Sequence, residues 1–443
     1  MPTDWNEVRH ELDTSSNYSD ISNTPWYADA EYDRFSDAEF HRRHDAARSR
    51  MARERLDALI LTGSPNIYSL GSGVTWGCGL IDDRGMCQYL VLPREGRPTL
   101  IYPHDGCHLE AVRKMVSIAE VRGGQQGHVG KAIADRLREV GVTSGRVGVT
   151  AVDRNGPEYM GVATYLELRR ELPDVEIVFA ADLFHELTYR KSDEELDAMR
   201  KAGRLAVAAQ EAVARAARPG VREYELAAAG TAAILAGGGR VHLMMIGSTP
   251  MDRPRIMYPN PNPSHRALQH RDLILTEISA AYLGYSAKLG HPITIGTPTA
   301  AMTRFHREVT LPGFVALTDA LAPGTALTDL QKVSDAFRRA GAQSRPMTLH
   351  GIDLITAGPK VMVHGVVAHD YDSHLVDGMV VNVEATPIAA DGVWGSFLSR
   401  TYAISKDGIE DLTPTSYPLN GVWAVHQSPA RTSRKDSNDS SGL

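Results

Sequence analysis

Cysteine is scarce: Cys78, Cys87 and Cys107 are the only three in 443 residues. An odd, widely spaced set excludes a disulfide framework and fits a reducing cytoplasm. Buried, inert thiols are expected rather than a nucleophile. Long apolar runs are also missing. The most apolar stretch, Leu226 to Gly239, is Ala/Gly-rich and falls short of the ~20 residues that span a bilayer. Met1 to Leu12 is polar and charged, unlike a secretory signal. Positive charge is thin: the formal net charge is -7, and no basic cluster occurs before Arg431 to Lys435. This balance argues against nucleic-acid and anionic-membrane partners. A cytoplasmic protein acting on a small molecule is expected.

Hydrophobic content of 42% and charged content of 23% are ordinary for a globular protein with sizeable cores, and the length suggests two or three domains. Residues 1–34 read as a polar arm with scattered aromatics (Trp5, Tyr18, Trp26, Tyr27, Tyr32), placed to pack on a partner subunit. Ser36-Asp37-Ala38-Glu39 has the spacing of a capping box opening a helix to about Arg55. Strand-like Ala58 to Thr62, Tyr89 to Leu92 and Thr99 to Tyr102 then alternate with helical periodicity at His128 to Val140 and Pro157 to Leu172. That alternation predicts an α/β domain over 35–186.

Ser192, followed by Asp193, Glu194 and Glu195, caps a long Ala-rich helix that ends near Pro219-Gly220. It opens the second domain, expected over 187–420, with 421–443 a disordered tail. An internal echo follows. Arg218-Pro219-Gly220, a helix with Leu226 and a Gly run resemble Ala322-Pro323-Gly324, a helix with Leu330 and Ala340-Gly341. Two related halves facing one site are implied.

Three groups carry candidate chemistry. In Asp272 to Ile295, two β-prone runs flank Tyr-Leu-Gly-Tyr. Centring that turn on Tyr282 and Leu283 sets Glu277 across from Lys288. His350 stands in Leu349-His350-Gly351-Ile352-Asp353. Glu384 lies in the apolar strand Val380 to Ala385, and a turn at Asp391-Gly392 places it opposite Ser399. Charges on such strands are costly unless partnered.

The ordered set resembles the creatinase/prolidase/methionine aminopeptidase (M24) superfamily. The matching pieces are Tyr189-Arg190-Lys191-Ser192-Asp193-Glu194-Glu195, Pro219-Gly220-Val221-Arg222-Glu223, the Gly284-Tyr285 hairpin, His350-Gly351-Ile352, Asp377-Gly378-Met379-Val380 leading to Glu384, and Lys406-Asp407-Gly408-Ile409-Glu410. Upstream, Asp57-Ala58-Leu59 and Pro65-Asn66-Ile67-Tyr68 resemble the N-terminal domain of the creatinase and aminopeptidase P branch. The resemblance implies an α+β pita-bread C-terminal domain, an α/β N-terminal domain and a homodimer.

Peptidases of that family hold two metal ions with Asp, Asp, His, Glu and Glu. Carried over by position, these become Glu277, Lys288, His350, Glu384 and Ser399. An ammonium cannot ligate a metal. Lys288 is therefore expected to replace metal charge between Glu277 and Glu384, as in a metal-free branch resembling creatinase or ectoine hydrolase. No cofactor and no metal are expected. The implied activity is C–N bond hydrolysis on a small charged metabolite, with His350 as acid/base, Glu277 and Glu384 positioning water or substrate, and Lys288 orienting an anionic group. Lyase, isomerase or dehydratase chemistry and a non-catalytic binding module are the alternatives; Xaa-Pro peptidase activity is the least expected. The upstream histidine of creatinase has no counterpart near Arg255 to Tyr258, so Tyr258 or Arg255 is expected to point into the site. His265, His364 and His369 are weaker candidates. His291 follows the hairpin, with a place near the mouth of the site or a structural role as its two readings, the structural one preferred.

Overall fold

The computed structural model describes residues 29–63, 71–81, 86–104, 107–117, 119–150, 159–354, 358–368, 373–415 and 423–425. Most of the expected arm, the Pro65 to Tyr68 segment, His369 and the tail with Arg431 to Lys435 lie outside them.

Helix α1 (Asp37–Glu54) opens the chain's first unit, with Ser36 accepting from the Glu39 amide. The reciprocal half of the expected capping box is absent, because the Glu39 carboxylate is taken by Arg42 and Arg43 instead. Strands β1 (Ala58–Gly63), β2 (Gln88–Pro93), β3 (Thr99–Tyr102), β4 (Glu120–Gly123), β5 (Gly145–Val149) and β6 (Val175–Phe179) follow. They form one mixed sheet in the order β4-β3-β2-β1-β5-β6. Its central strands β1 and β2 are buried along their whole length, as a sheet covered on both faces requires.

The second unit starts with α2 (Asp193–Ala216) and α3 (Glu223–Ala236). Strands β7 (Arg240–Pro250), β8 (Asp272–Tyr282), β9 (Tyr285–Leu289), β10 (Ile293–Ile295) and the later β19 (Trp423–Val425) make one sheet. After helices α4 (Leu311–Asp319) and α5 (Leu327–Ser334), the pair β11 (Gln343–Ser344) and β16 (Pro387–Ile388) sits beside a second, six-stranded sheet. That sheet contains β12 (Met347–Gly351), β13 (Lys360–Met362), β14 (Gly365–Val367), β15 (Val380–Ala385), β17 (Leu398–Ser405) and β18 (Gly408–Asp411), in the order β14-β13-β12-β15-β17-β18. A Gly290–Ser399 bridge joins the two sheets.

The echo read from the sequence has a geometric counterpart. Gly220 (φ 90°) and Gly324 (φ 88°) occupy the left-handed region that favours glycine. Each donates its amide to a distant leucine carbonyl, Leu268 at 2.8 Å and Leu375 at 2.7 Å. Each precedes a bridge, Arg222 to Ala267 and Ala326 to His374. Each then opens a helix whose leucine, Leu226 or Leu330, is fully buried.

The hairpin register differs from expectation by one step. Tyr282 pairs with Tyr285, and Leu283 (φ 50°) and Gly284 (φ 85°) form the turn. Positive φ at both central residues is the I′ geometry that matches strand twist, and the second centre needs glycine. Lys288 therefore faces Ser279, with Glu277 its diagonal neighbour on the same side. The Glu384–Ser399 pairing is as expected, although the connection is longer than a two-residue turn: Ala389 bonds Trp394 across it.

The two units meet at a buried ionic knot. Arg43 of α1 is fully buried, 2.8 Å from Glu39 and 3.2 Å from Glu195 at the start of α2. Its guanidinium lies 4.4 Å from the Phe35 ring centre and donates to the Trp76 carbonyl. Glu195 also accepts from Ser192, completing that helix's capping box, and from the Tyr285 hydroxyl at the start of β9. The strand that carries Lys288 is thus tied through Glu195 to the first unit. Arg43→Ala leaves two buried carboxylates sharing only the half-exposed Arg42, so a loss of about 3–5 kcal/mol in chemical denaturation is expected. A loss under about 1 kcal/mol, typical of exposed pairs, refutes the knot's role.

Candidate active site

Four side chains from two sheets converge on one point. Lys288 on β9, Glu277 on β8, His350 on β12 and Glu384 on β15 are all buried. An ammonium has three N–H donors. Lys288 Nζ lies 2.8 Å from Glu277 Oε1, 2.5 Å from Glu384 Oε1 and 2.9 Å from His350 Nε2. Every donor of Lys288 has an acceptor, which corrects the expectation that this ammonium is available to orient a substrate anion.

The local sequence explains the convergence. Along β8, Ile278 and Ala280 face the helices while Glu277 and Ser279 face the cleft. Along β15, Val381, Val383 and Ala385 enter the core beneath α4, leaving Asn382 and Glu384 on the cleft side. His350 pairs with Asn382, which puts Glu384 diagonal to it. The Lys288 backbone is clamped from the facing sheet. Its amide donates to Thr401 Oγ1 at 2.9 Å, and its carbonyl accepts from Thr401 and Asn382.

Burial alone would pull the Lys288 ammonium toward neutrality, but the two carboxylates outweigh it and hold the group well above the usual lysine value. Burial would likewise raise Glu384, yet the Lys288 charge beside it holds it well below the usual carboxylate range. His350 Nδ1 is 2.7 Å from the Gly351 carbonyl, which can only accept. Nδ1 therefore carries the proton, and the lone pair of the neutral ring is on Nε2, facing Lys288. Two carboxylates and one ammonium leave the cluster one net negative charge.

Tyr258 joins this cluster, its hydroxyl donating to Glu277 Oε2. Burial, then Glu277 and Glu384, push its phenol far above the usual tyrosine value. Ser399 stands beside Glu384 but donates to Asn382 at 2.8 Å. Other expectations fail. Arg255 is exposed, with its amide on Thr249; the guanidinium over Tyr258 belongs to Arg345, 3.5 Å from the ring centre. His291 is buried against His306, 6.1 Å between ring centres, rather than at a mouth. His265 packs on Tyr224 and His364 is exposed. Two residues escaped the sequence reading. Arg345 lies in a loop with no periodicity to orient it. His242 reaches Ser279, directly across from Lys288, only because a bulge between Val241 and Leu243 turns it there.

The donor set does not fit a pair of metal ions. An ammonium fills the point where the retained acceptors meet, and Ser399 is turned away to Asn382. Among the described residues no group of three or more His, Cys, Asp or Glu side chains is arranged to hold a metal ion.

Comparison with known proteins finds two family matches along the chain. The model of "Metallopeptidase family M24" matches residues 197–408, and that of "Creatinase/Prolidase N-terminal domain" matches residues 43–187. The chain is 25% identical over 327 residues to a probable dipeptidase PepE of Mycobacterium tuberculosis, covering 72% of this chain and 81% of that protein. It is 26% identical over 404 residues to an uncharacterized hydrolase/peptidase y4tL of Sinorhizobium fredii, covering 87% and 97%. The crystal structure of dipeptidase PepE from Mycobacterium ulcerans superposes with a TM-score of 0.67 at 24% identity, covering 89% of this chain and 100% of that one. Residues 43–187 form a creatinase/prolidase-type N-terminal domain, and residues 197–408 match the M24 family and form the pita-bread domain that follows it.

Proposed function

We propose that this protein hydrolyses a C–N bond of a small polar metabolite without metal. The observation that carries the reading is Lys288, whose ammonium occupies the meeting point of Glu277, Glu384 and His350. Fixed protein charge then does the electrostatic work that cations do in metallopeptidases.

The proposed chemistry follows from which lone pairs are open. Glu384 Oε1 is committed to Lys288, while Oε2 has no hydrogen bond among the described residues. It can hold the N–H side of a substrate or a water. His350 Nε2 is blocked by a Lys288 N–H in the unliganded state. The attacking water, entering between Lys288 and His350, accepts that N–H in place of Nε2 and leaves both carboxylate bonds intact. The Nε2 lone pair is then free to take a proton from the attacking water. Water oxygen bonds to carbon, the C–N bond breaks, and His350 returns the proton to the leaving nitrogen.

A metal-dependent dipeptidase is the second reading, favoured by the dipeptidase activity ascribed to the PepE relatives. Three measurements separate the two. Protein stripped by chelator is expected to retain hydrolysis of small N-acyl and N-carbamoyl compounds; turnover that appears only with added manganese overturns the proposal. Lys288→Asp turns the cation into a third carboxylate, so calorimetry is expected to detect manganese binding to the variant and none to the wild type. Wild-type binding refutes the replacement of metal charge by Lys288. His350→Gln should lower kcat by roughly 100- to 10,000-fold with little change in melting temperature. A variant within tenfold of wild type removes His350 from the chemistry.

A further inference from the structure

Strand β7 ends its sheet, so among the described residues one of its edges has no strand beside it. From Ile246 onward a loop covers that edge, because the Ile246 amide meets the Asn260 carbonyl at 3.0 Å. Among the described residues nothing pairs with the outer edge of Leu243, Met244 and Met245. These three and Val241 are half-buried, and Leu235, near the end of α3, is 58% exposed. An open, apolar edge of this kind is a template for another strand, and folded proteins cover it. Leu243 and Met245 lie across from Ser279 and Glu277, so whatever covers the edge also builds the rim of the cleft.

The corner where β7 begins is basic. Gly239, just ahead of the strand, packs so closely that a Cβ there would lie 2.4 Å from Leu205 of α2 and 3.1 Å from the Ala281 carbonyl. Arg240 pairs with Ala281, Lys201 Nζ is 3.7 Å from the Tyr282 ring centre, and Arg204 is the chain neighbour of Leu205. Arg204 is exposed and forms no ion pair among the described residues. The described chain starts near this corner: Asp33 accepts from the Tyr282 hydroxyl and lies 3.6 Å from Lys201. Residues 1–28, upstream of it, carry Asp4, Glu7, Glu11, Asp13 and Asp20 against Arg9 alone among Lys and Arg side chains. They also carry the aromatic side chains Trp5, Tyr18, Trp26 and Tyr27.

We propose that residues 1–28 dock on the open edge of β7 of the same chain, their acidic side chains toward Lys201, Arg204 and Arg240 and their aromatic ones over Leu235, Val241, Leu243 and Met245. Charge and polarity of segment and surface are complementary. At roughly 3.3 Å per residue the stretch from Arg240 to Met245 is about 17 Å long, well within reach of a segment tethered at Asp33. A tether this short gives an effective concentration on the order of millimolar, which favours the chain's own segment over a second copy or a free peptide. Docking there closes the sheet edge and adds an outer rim to the cleft wall that carries Glu277. It is independent of the reaction at Lys288.

Photo-crosslinking in the full chain tests this. The photoreactive residue p-benzoylphenylalanine replaces Leu243 or Leu235, and in a control the distant, exposed Phe179. Irradiation is expected to join either leucine position to a peptide within residues 1–28, with the product running at the mass of one chain on a denaturing gel. The Phe179 position should give no such product. Arg204→Glu, which sets like charge against the segment, should lower the yield several-fold while melting near wild type, since it removes no ion pair among the described residues. In the unlabelled chain, replacing Trp26 and Tyr27 together by serine should speed hydrogen exchange at the Leu243 to Met245 amides at least about tenfold, the loss of a modest local contact. A covalent dimer assigns the edge to a second copy and overturns docking within one chain. Products with other segments, no product, or exchange unchanged by the double replacement also overturn it.

Discussion

Lys288 meets its three acceptors at the seam between two sheets, and the organisation of the pita-bread unit turns on that contact. Each of the four side chains comes from a different strand, and each strand also carries apolar residues into a core. An ammonium carried alone into such a place costs several kcal/mol of lost hydration even after relaxation. Two carboxylates carried there without it would repel each other. Together they leave one excess negative charge and no idle donor. Either half of the group is costly without the other, so the set stands or falls as a unit.

Holding that unit in register takes more than the ionic contacts. Thr401 and Asn382 grip both backbone polar groups of Lys288 from the opposite sheet. Tyr285, at the start of the same strand, reaches Glu195 and through it the buried Arg43 of the first unit. Lys288 is thus positioned from both sides of the cleft and from the N-terminal unit. Such support suits a site that works by fixed charge, because charge that relaxes when the reaction charge develops stabilises little.

The comparison with peptidase relatives has its chemical interest in this trade. A metal ion lowers the pKa of a bound water and makes hydroxide available at neutral pH. An ammonium offers hydrogen bonds and one positive charge but does not coordinate that water. A site built around it depends more on where protons are stored, and His350 keeps one nitrogen on the Gly351 carbonyl and the other on Lys288.

Much of this was readable along the chain. Alternating apolar residues marked β8, β15 and β17, and a charge at a cleft-facing position of an apolar strand stood out as Glu277, Lys288 and Glu384. Side-chain period in a strand is two, so the pattern itself assigns the face. The Pro-Gly turns before Leu226 and Leu330 announced two related halves. What the residues alone could not settle were relations between distant segments. The hairpin shifted by one step because Leu283-Gly284 accepts positive φ at both centres, which sequence spacing does not weigh. His242 entered the cleft through a bulge, His291 was claimed by a buried histidine neighbour, and Tyr258 joined the site under Arg345 while Arg255 stayed exposed. The sequence by itself determined which residues carry charge and which face of each strand they occupy. Only the tertiary structure decided which charges meet, because contact between segments far apart in the chain is set by packing of whole sheets and not by local preference.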